Sequence, residues 1–429
     1  MENHEALIVE RLLPEKKIML ASYPDGEWKT EAVAAARGME VYCVLSDKSV
    51  YAGIKKNPRV DFTGAGVSGR GIAREIKAQR LPEGINIQPG NYIFLLVPYR
   101  IKFNGGEFEK TKKGWIPAAA EVKRDRGLKF WLDAARFVSA PMSLIPVITG
   151  TLLAAINGKF NPFIFLAALA GGLAAHMGVN FYSDYNDYKK GFDTPGALSS
   201  HTGALIDERI APSAIITAAF ICFAVTGFSG LYLIFAAGWP VIIFGFIGLA
   251  GGVSYTGWPL AAKYRAMGEL ATSFLMGPLM VAGAYFVQAG NLRPGPVVIS
   301  VCLGLLVGSV TLANNIRDME DDGNNGFVTL PIKTGFGPAR KIYAAFLLAP
   351  YAVLSVFIAI WPKFYPAAAA FFSLPYAVKC ISLIFKGGKN SAEIRLSAVN
   401  NPYPLFSIRL YIRFSMLLLA GLCAVFFLR

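Results

Sequence analysis

The sequence predicts an all-α multi-span membrane bundle of about nine transmembrane helices, preceded by a small soluble β-barrel or α+β domain. Three observations carry that expectation. Of 429 residues, 54% are hydrophobic and only 16% charged, with mean hydropathy +0.44, a balance foreign to a water-soluble domain of this length. Long apolar runs fill the chain after residue 129, whereas the first 125 residues are polar and broken by turn signals. The expected division is therefore 1–125 and 126–429.

In the first part, strands are expected at Lys17–Ser22, Glu31–Ala36, Glu40–Leu45, Val60–Thr63 and Tyr92–Pro98, from their alternating or continuous apolar pattern. Pro24-Asp25-Gly26 and Asn104-Gly105-Gly106 supply turns. Ser49–Lys56 and Gly71–Gln79 read as short helices.

In the second part, nine apolar stretches are each long enough for a hydrocarbon layer of ~30 Å. They run approximately over 136–157, 162–183, 212–236, 239–257, 268–289, 295–314, 340–361, 364–385 and 409–428. Their internal glycines and prolines (Pro141, Pro146, Gly171-Gly172, Gly277-Pro278) are tolerated in membrane helices whose neighbours re-satisfy the backbone.

With the N-terminal part in the cytoplasm, the inner loops carry Lys189, Lys190, Arg209, Lys263, Arg265, Arg317, Lys333, Arg340, Lys341, Lys386, Lys389 and Arg395. The outer loops carry only Lys159, Arg293 and Lys363. This positive-inside asymmetry predicts a multi-pass protein of the cytoplasmic membrane with its basic face inward. It also accounts for the net charge of +14 without nucleic acid as a partner. The five cysteines lie far apart with no metal-binding spacing. The N-terminus M-E-N-H-E-A-L-I-V-E lacks the basic run and apolar core of a cleavable signal peptide.

Two acidic clusters carry the chemistry. Asn180–Asp193, N-F-Y-S-D-Y-N-D-Y-K-K-G-F-D, closes the second apolar stretch and places Asn180, Asp184 and Asp187 at i, i+4 and i+7. If the helix continues, those side chains share a face. Thr311–Gly323, T-L-A-N-N-I-R-D-M-E-D-D-G, closes the sixth stretch with Asp318 and Asp322 at i, i+4 and Asn314 one turn before. More than half of the acidic residues after Lys129 fall in these clusters. Carboxylates at a membrane edge are costly unless paired or metal-bound. The bland alternative is solvated loop charge, paired with Arg317 or Lys189. Two carboxylate sets on one side of a bilayer suit Mg2+, a hard cation that takes oxygen ligands and shares them with substrate phosphates. Lys263 and Arg265, in Y-T-G-W-P-L-A-A-K-Y-R-A-M-G-E-L, and Lys333, in T-L-P-I-K-T-G, supply positive charge for a diphosphate. Arg340 and Lys341 read as lipid-headgroup anchors, and His176 as a satisfied intramembrane histidine.

These runs resemble the UbiA superfamily of intramembrane aromatic prenyltransferases. Asn180, Asp184 and Asp187 match its first motif, and Asp318 and Asp322 its second. D-Y-N-D-Y-K-K-G-F-D-T, the Lys263 run, F-L-M-G-P-L-M-V-A-G-A-Y-F-V-Q-A-G and A-A-R-F-V-S-A-P-M-S-L-I-P-V are similar to its 1,4-dihydroxy-2-naphthoate polyprenyltransferase branch. The resemblance implies Mg2+ held by Asp184, Asp187, Asp318 and Asp322, with Asn180 and Asn314 assisting. It implies a polyprenyl diphosphate donor, with Lys263, Arg265, Lys333, Lys189 and Arg136 as candidate contacts. The acceptor would be an aromatic ring, 1,4-dihydroxy-2-naphthoate of menaquinone biosynthesis first, with 4-hydroxybenzoate or another quinone or lipid precursor as alternatives. Roles for Asp193 and His201 stay open.

The first part, through M-L-A-S-Y-P-D-G-E-W-K-T-E-A-V, L-S-D-K-S-V-Y-A-G-I-K-K-N-P-R-V and G-R-G-I-A-R-E-I, resembles the pyridoxamine-phosphate-oxidase-like split barrels. That likeness implies flavin mononucleotide (FMN) phosphate contacts at Lys48 and Ser49, or a barrel that has lost the flavin. Two other classes compete for the whole chain. A cation-coupled transporter also places carboxylates in membrane helices, but near the midplane. A non-catalytic membrane anchor leaves both acidic motifs without a purpose.

Overall fold

The computed structural model describes residues 127–190, 210–324, 327–388 and 402–428, together with residues 205 and 393. Before residue 127 it describes the eight strands below and the helical residues Ser49, Val50, Ala52 and Ile54. By its backbone contacts the chain divides into two compact units, Met1–Asp125 with Tyr185–Pro212, and Arg126–Asp184 with Ser213–Arg429.

In the first unit, β1 (Lys17–Ser22), β2 (Lys29–Arg37), β3 (Glu40–Leu45), β4 (Arg59–Gly64), β5 (Val67–Glu75), β6 (Tyr92–Phe103), β7 (Gly106–Thr111) and β8 (Gly114–Pro117) form one antiparallel sheet. Its order is β3-β2-β1-β4-β5-β6-β7-β8, and β3 also pairs with β6, so the first six strands form a closed ring of pairings. Alternation sets the interior. Val60 and Phe62 of β4, and Phe94 and Leu96 of β6, are buried at i, i+2 positions. Cys43, opposite Phe94 across the β3–β6 pair, is buried too, and that burial pushes its thiol up to about 12. Such a thiol stays protonated and unreactive.

One expectation is corrected here. Gly71–Gln79 is not a helix: Gly71–Glu75 belongs to β5, paired with β6 throughout and with β4 through Gly71 and Ile72, with a register shift at Arg70/Gly71. Residues 76–79 lie outside the described residues. The residues Ala73-Arg74-Glu75 have helical propensity, and pairing with β6 overrides it.

The second unit is helical. Its helices are α1 (Leu128–Ala134), α2 (Pro141–Ile156), α3 (Pro162–Lys189, its last residues assigned to the first unit), α4 (Pro212–Ala237), α5 (Val241–Thr256), α6 (Gly268–Ala289), α7 (Pro294–Arg317), α8 (Met319–Asn324), α9 (Leu330–Thr334), α10 (Phe336–Ile360), α11 (Pro362–Lys386) and α12 (Tyr403–Phe427). Prolines open α2, α3, α4, α7 and α11, where the missing N–H costs nothing. Asn161 Oδ1 caps α3, accepting from the N–H of Phe163 at 2.9 Å and of Ile164 at 3.3 Å. Gly290, at φ 73°, ends α6 in the left-handed conformation.

Among the described residues, eight helices are long and apolar enough to cross a membrane. The fourth expected span is the exception. α5 has 16 residues, about 24 Å of helix, short of the ~30 Å layer.

Without water to squeeze out, membrane helices associate through close packing of small residues. A Cβ on Gly150 of α2 would strike Val281 of α6, and one on Gly277 of α6 would strike Gly304 of α7. Around Gly277 the helix widens into a π-turn, Leu275–Leu279, holding Pro278. α7 is the central helix: Ile299, Leu303 and Leu306 pack in one core with Tyr343, Leu347 and Leu354 of α10 and Leu410, Phe414 and Leu418 of α12. By contrast α4 exposes Phe220, Phe228 and Phe235, and α5 exposes Ile242 and Phe246. Helices apolar on all sides and left uncovered present those sides to lipid.

Candidate active site

Contacts within the helical unit bring Asn180 and Asp184 of the first acidic motif to the same end of the bundle as the second motif. α3 runs unbroken through the first motif to Lys189, so Asn180, Asp184 and Asp187 ride one helix. A Cβ on Gly257, just after α5, would lie 2.9 Å from the Tyr182 hydroxyl, which places the end of α5 beside the first motif. The chain then turns through Ala262–Tyr264, a 3-10 turn, into α6. That turn meets the second motif. The Val328 N–H donates to the Tyr264 carbonyl at 3.3 Å, Arg265 bridges to Val328, and the Tyr264 and Phe327 rings stack at 4.8 Å. The Phe327 N–H in turn donates to the Asp322 carbonyl at 2.9 Å, and the Asp322 N–H to the Asp318 carbonyl at 2.8 Å. At the opposite end, Asn161 and Gln288 tie the start of α3 to the end of α6 through two hydrogen bonds of 2.7 and 3.0 Å.

The first motif is stitched to the segment before α2. Asn180 Nδ2 donates to the Ala135 carbonyl at 3.0 Å, and Arg136, held at φ 55°, forms an ion pair with Asp184. One turn earlier, His176 faces Ser143 at 3.2 Å and Ser139 at 3.4 Å. Both its ring nitrogens are thus engaged within the protein, as expected of a satisfied intramembrane histidine. His176, Asn180 and Asp184 stand at i, i+4 and i+8, so one helix face meets one nine-residue segment.

At the second motif, the Arg317 guanidinium forks onto both oxygens of Asp318, each at 2.6 Å. Arg317 is the partner that the bland reading of this cluster supplies. The geometry is bidentate and largely buried, stronger than a solvated surface pair. Asp184 and Asp187 are buried as well.

Of the candidate cations, Lys263 is half-buried in the turn, with Nζ 5.6 Å from the Tyr264 ring centroid, and Arg265 is exposed beside it. Lys333 and Lys189 are exposed on the last turns of α9 and α3. Ser49 is exposed on the first unit; Lys48, Asp193 and His201 lie outside the described residues.

The donor set is made of carboxylate and amide oxygens, the chemistry Mg2+ prefers. Asn314 Oδ1 is buried without a hydrogen-bond partner, an oxygen that a cation would satisfy. Among the described residues, no three of His, Cys, Asp or Glu are gathered closely enough to hold one ion. Two of the four proposed ligands, Asp184 and Asp318, sit on arginines instead.

Sequence reasoning missed a further pair. Glu269 of α6 is 1% exposed and accepts a hydrogen bond from Asn315 Nδ2 at 2.8 Å. Glu269 stood in the lysine-bearing run with no role assigned, and only the pairing of helices 46 residues apart reveals its partner.

A helical bundle with membrane-length spans, two acidic motifs and a basic turn at one end defines a class of membrane protein whose charged groups gather at one face. Residues 143–399 match the UbiA prenyltransferase family. The chain belongs to that family and is a multi-pass membrane prenyltransferase. It is 31% identical over 242 residues to the 1,4-dihydroxy-2-naphthoate octaprenyltransferase of Bacillus subtilis (strain 168), covering 56% of this chain and 77% of that protein. The UbiA prenyltransferase domain-containing protein 1 of Mus musculus is 33% identical over 232 residues, covering 52% and 66%. Among solved structures, a UbiA homologue from Archaeoglobus fulgidus bound to GPP and Mg2+ superposes with TM-score 0.50 at 11% identity, covering 67% of this chain and 99% of that one. The apo UbiA homologue from Aeropyrum pernix K1 gives 0.51 at 14% identity, covering 65% and 97%. At such identities the likeness is one of fold.

Proposed function

We propose that this protein transfers a polyprenyl group from polyprenyl diphosphate to 1,4-dihydroxy-2-naphthoate, in the presence of Mg2+. The observation that carries the reading is the run of contacts from Tyr182 through Gly257 and Tyr264 to Phe327, which gathers the two acidic motifs and the basic turn at one end of the bundle. The acceptor rests on relatives of about 30% identity that bear the name of that reaction.

Asp184, Asp187, Asp318 and Asp322 would hold the metal, with Asn180 and Asn314 supplying amide oxygens. Bound Mg2+ would neutralise the diphosphate and make it a better leaving group. Lys263 and Arg265 meet the charge that grows on the departing oxygens, an effect strongest where donors are fixed before the reaction. Arg136 beside Asp184, Lys189 at the end of α3 and Lys333 at the end of α9 are further candidate contacts for the diphosphate. The allylic C–O bond breaks with both electrons leaving on the diphosphate, and a carbon of the electron-rich ring forms the new C–C bond. For this acceptor, carbon dioxide is lost in place of a ring proton.

We place the active site on the cytoplasmic side of the inner membrane, on the strength of the basic inner loops. For the first unit, the closed pairing of β3 with β6 favours kinship with the split barrels; the spectrum of the purified full chain would show bound FMN or its absence.

The test of the acceptor is a product mass spectrum from membranes given Mg2+, a prenyl diphosphate and separate aromatic acids. Prenylated, decarboxylated naphthoquinol is the expected product, and prenylated 4-hydroxybenzoate instead would move the acceptor. The stack on Tyr264 offers a second measurement. Phe327→Ala removes the ring that orders the turn, and a site loosened by an ångström loses rate steeply. An increase of about tenfold in the KM for prenyl diphosphate is expected, with the KM for the aromatic acid little changed.

A further inference from the structure

The lowest rungs between α6 and α7 are polar, and nothing in the transfer reaction described above uses them. Deeper in the bundle these helices touch through Gly277 against Gly304, and Gly308 against Ser273, places with no room for a Cβ. Towards the motif end the contact changes character. Thr272 and Thr311 hydroxyls meet at 3.0 Å, and one turn further Asn315 Nδ2 donates to Glu269 Oε1 at 2.8 Å. Glu269 is 1% exposed and its Oε2 has no hydrogen-bond partner, so one oxygen makes the whole contact. A carboxylate is an expensive way to accept one hydrogen bond at a membrane edge, and its address explains why it stands there. Glu269 follows Arg265 by four residues on the element that the basic turn leads into. Asn315 is next to Asn314 and three residues before Asp318.

We propose that Glu269 is a positioning residue: through Asn315 it fixes the Lys263/Arg265 turn in register with the Asn314–Asp322 motif. This rests on the functional reading above and adds a residue to it. Glu269 need not touch donor or acceptor. It acts by stopping the ends of α6 and α7 from sliding or splaying where Gly304 and Gly308 leave the backbones smooth. The role asks only for an acceptor oxygen of the right reach, so glutamine replaces glutamate and an apolar residue does not.

The experiment compares the wild-type full chain, Glu269→Gln and Glu269→Leu in detergent. Nitroxide labels at Met267→Cys and Val328→Cys, both at exposed positions, report the spread between turn and motif without any ligand; Cys222→Ser and Cys423→Ser clear the background. Binding of Mg2+ with inorganic diphosphate, and steady-state kinetics, report the site. A narrow distance distribution is expected in wild type and Glu269→Gln, and a broad one in Glu269→Leu. Diphosphate affinity should stay within twofold of wild type in Glu269→Gln and fall at least tenfold in Glu269→Leu. The KM for prenyl diphosphate should rise in parallel, with kcat within threefold. An unchanged distance distribution or affinity in Glu269→Leu overturns the proposal. So does a Glu269→Gln variant as impaired as Glu269→Leu, which would assign the work to the carboxylate itself. If wild type fails to bind Mg2+ and diphosphate, the functional reading falls, and the label distances alone then decide the role of Glu269.

Discussion

Asp184→Asn and Asp318→Asn are each expected to lower prenyl transfer by about 10^3-fold, the scale of losing a group that stabilises charge at the moment of bond cleavage. Asparagine keeps the volume and a hydrogen-bonding oxygen, so Arg136 and Arg317 lose an ion pair without gaining a cavity. The protein should still reach the membrane in normal amount, and the loss should appear in turnover of a labelled prenyl diphosphate. The same reasoning makes Lys333→Ala a milder change, since that lysine is exposed at the end of a short helix. Turnover within about twofold of wild type in either aspartate variant would be far too small an effect for a metal ligand, and would mean that the arginine pairs are purely structural.

Gly277→Val is expected to have the largest effect on the fold. Its side chain would run into the backbone of Gly304 and lie 2.7 Å from the Ser300 carbonyl, and backbone cannot step aside as a flexible side chain can. Overpacking of this kind costs about 1–3 kcal/mol and more where relief is blocked. The α6–α7 contact carries both the π-turn and the Glu269–Asn315 rung, so the site should loosen along with the bundle. Gly245→Val is the matched control, because a Cβ there meets nothing within 4 Å. Thermal unfolding in detergent should separate the two: a clear fall in Tm for Gly277→Val, and none for Gly245→Val. Equal melting temperatures would show that α6 and α7 do not pack through these glycines.

Much of the helical fold was legible because a bilayer dictates both length and composition. Pro162, Pro212 and Pro294 open helices within a residue of the expected starts, and α6 spans the residues 268–289 expected of it. The apolar run at 239–257 was read as a full span because hydropathy does not register where Pro240 and Gly257 bound the helix, and 16 residues remain between them. Gly71–Glu75 was misread for the opposite reason: its fate depends on strands β4 and β6, which come together only in the folded chain.

The candidate site divides in the same way. The spacings Asn180–Asp184–Asp187 and Asp318–Asp322 are local, and a helix turns spacing into a shared face. Partners are not local. Arg136 finds Asp184 across 48 residues and Asn315 finds Glu269 across 46, and no run of sequence states either pairing. Arg317 beside Asp318 was legible as a neighbour, but its two-pronged grip on a buried carboxylate was not.

One measurement bears most directly on the central claim. The purified full chain is given isotopically labelled prenyl diphosphate and 1,4-dihydroxy-2-naphthoate with Mg2+, then with a chelator, then with Mg2+ restored. Label should move to the aromatic product, stop on chelation and resume on restoring the metal. Label that stays in the diphosphate under all three conditions, or transfer that ignores the chelator, would contradict the account.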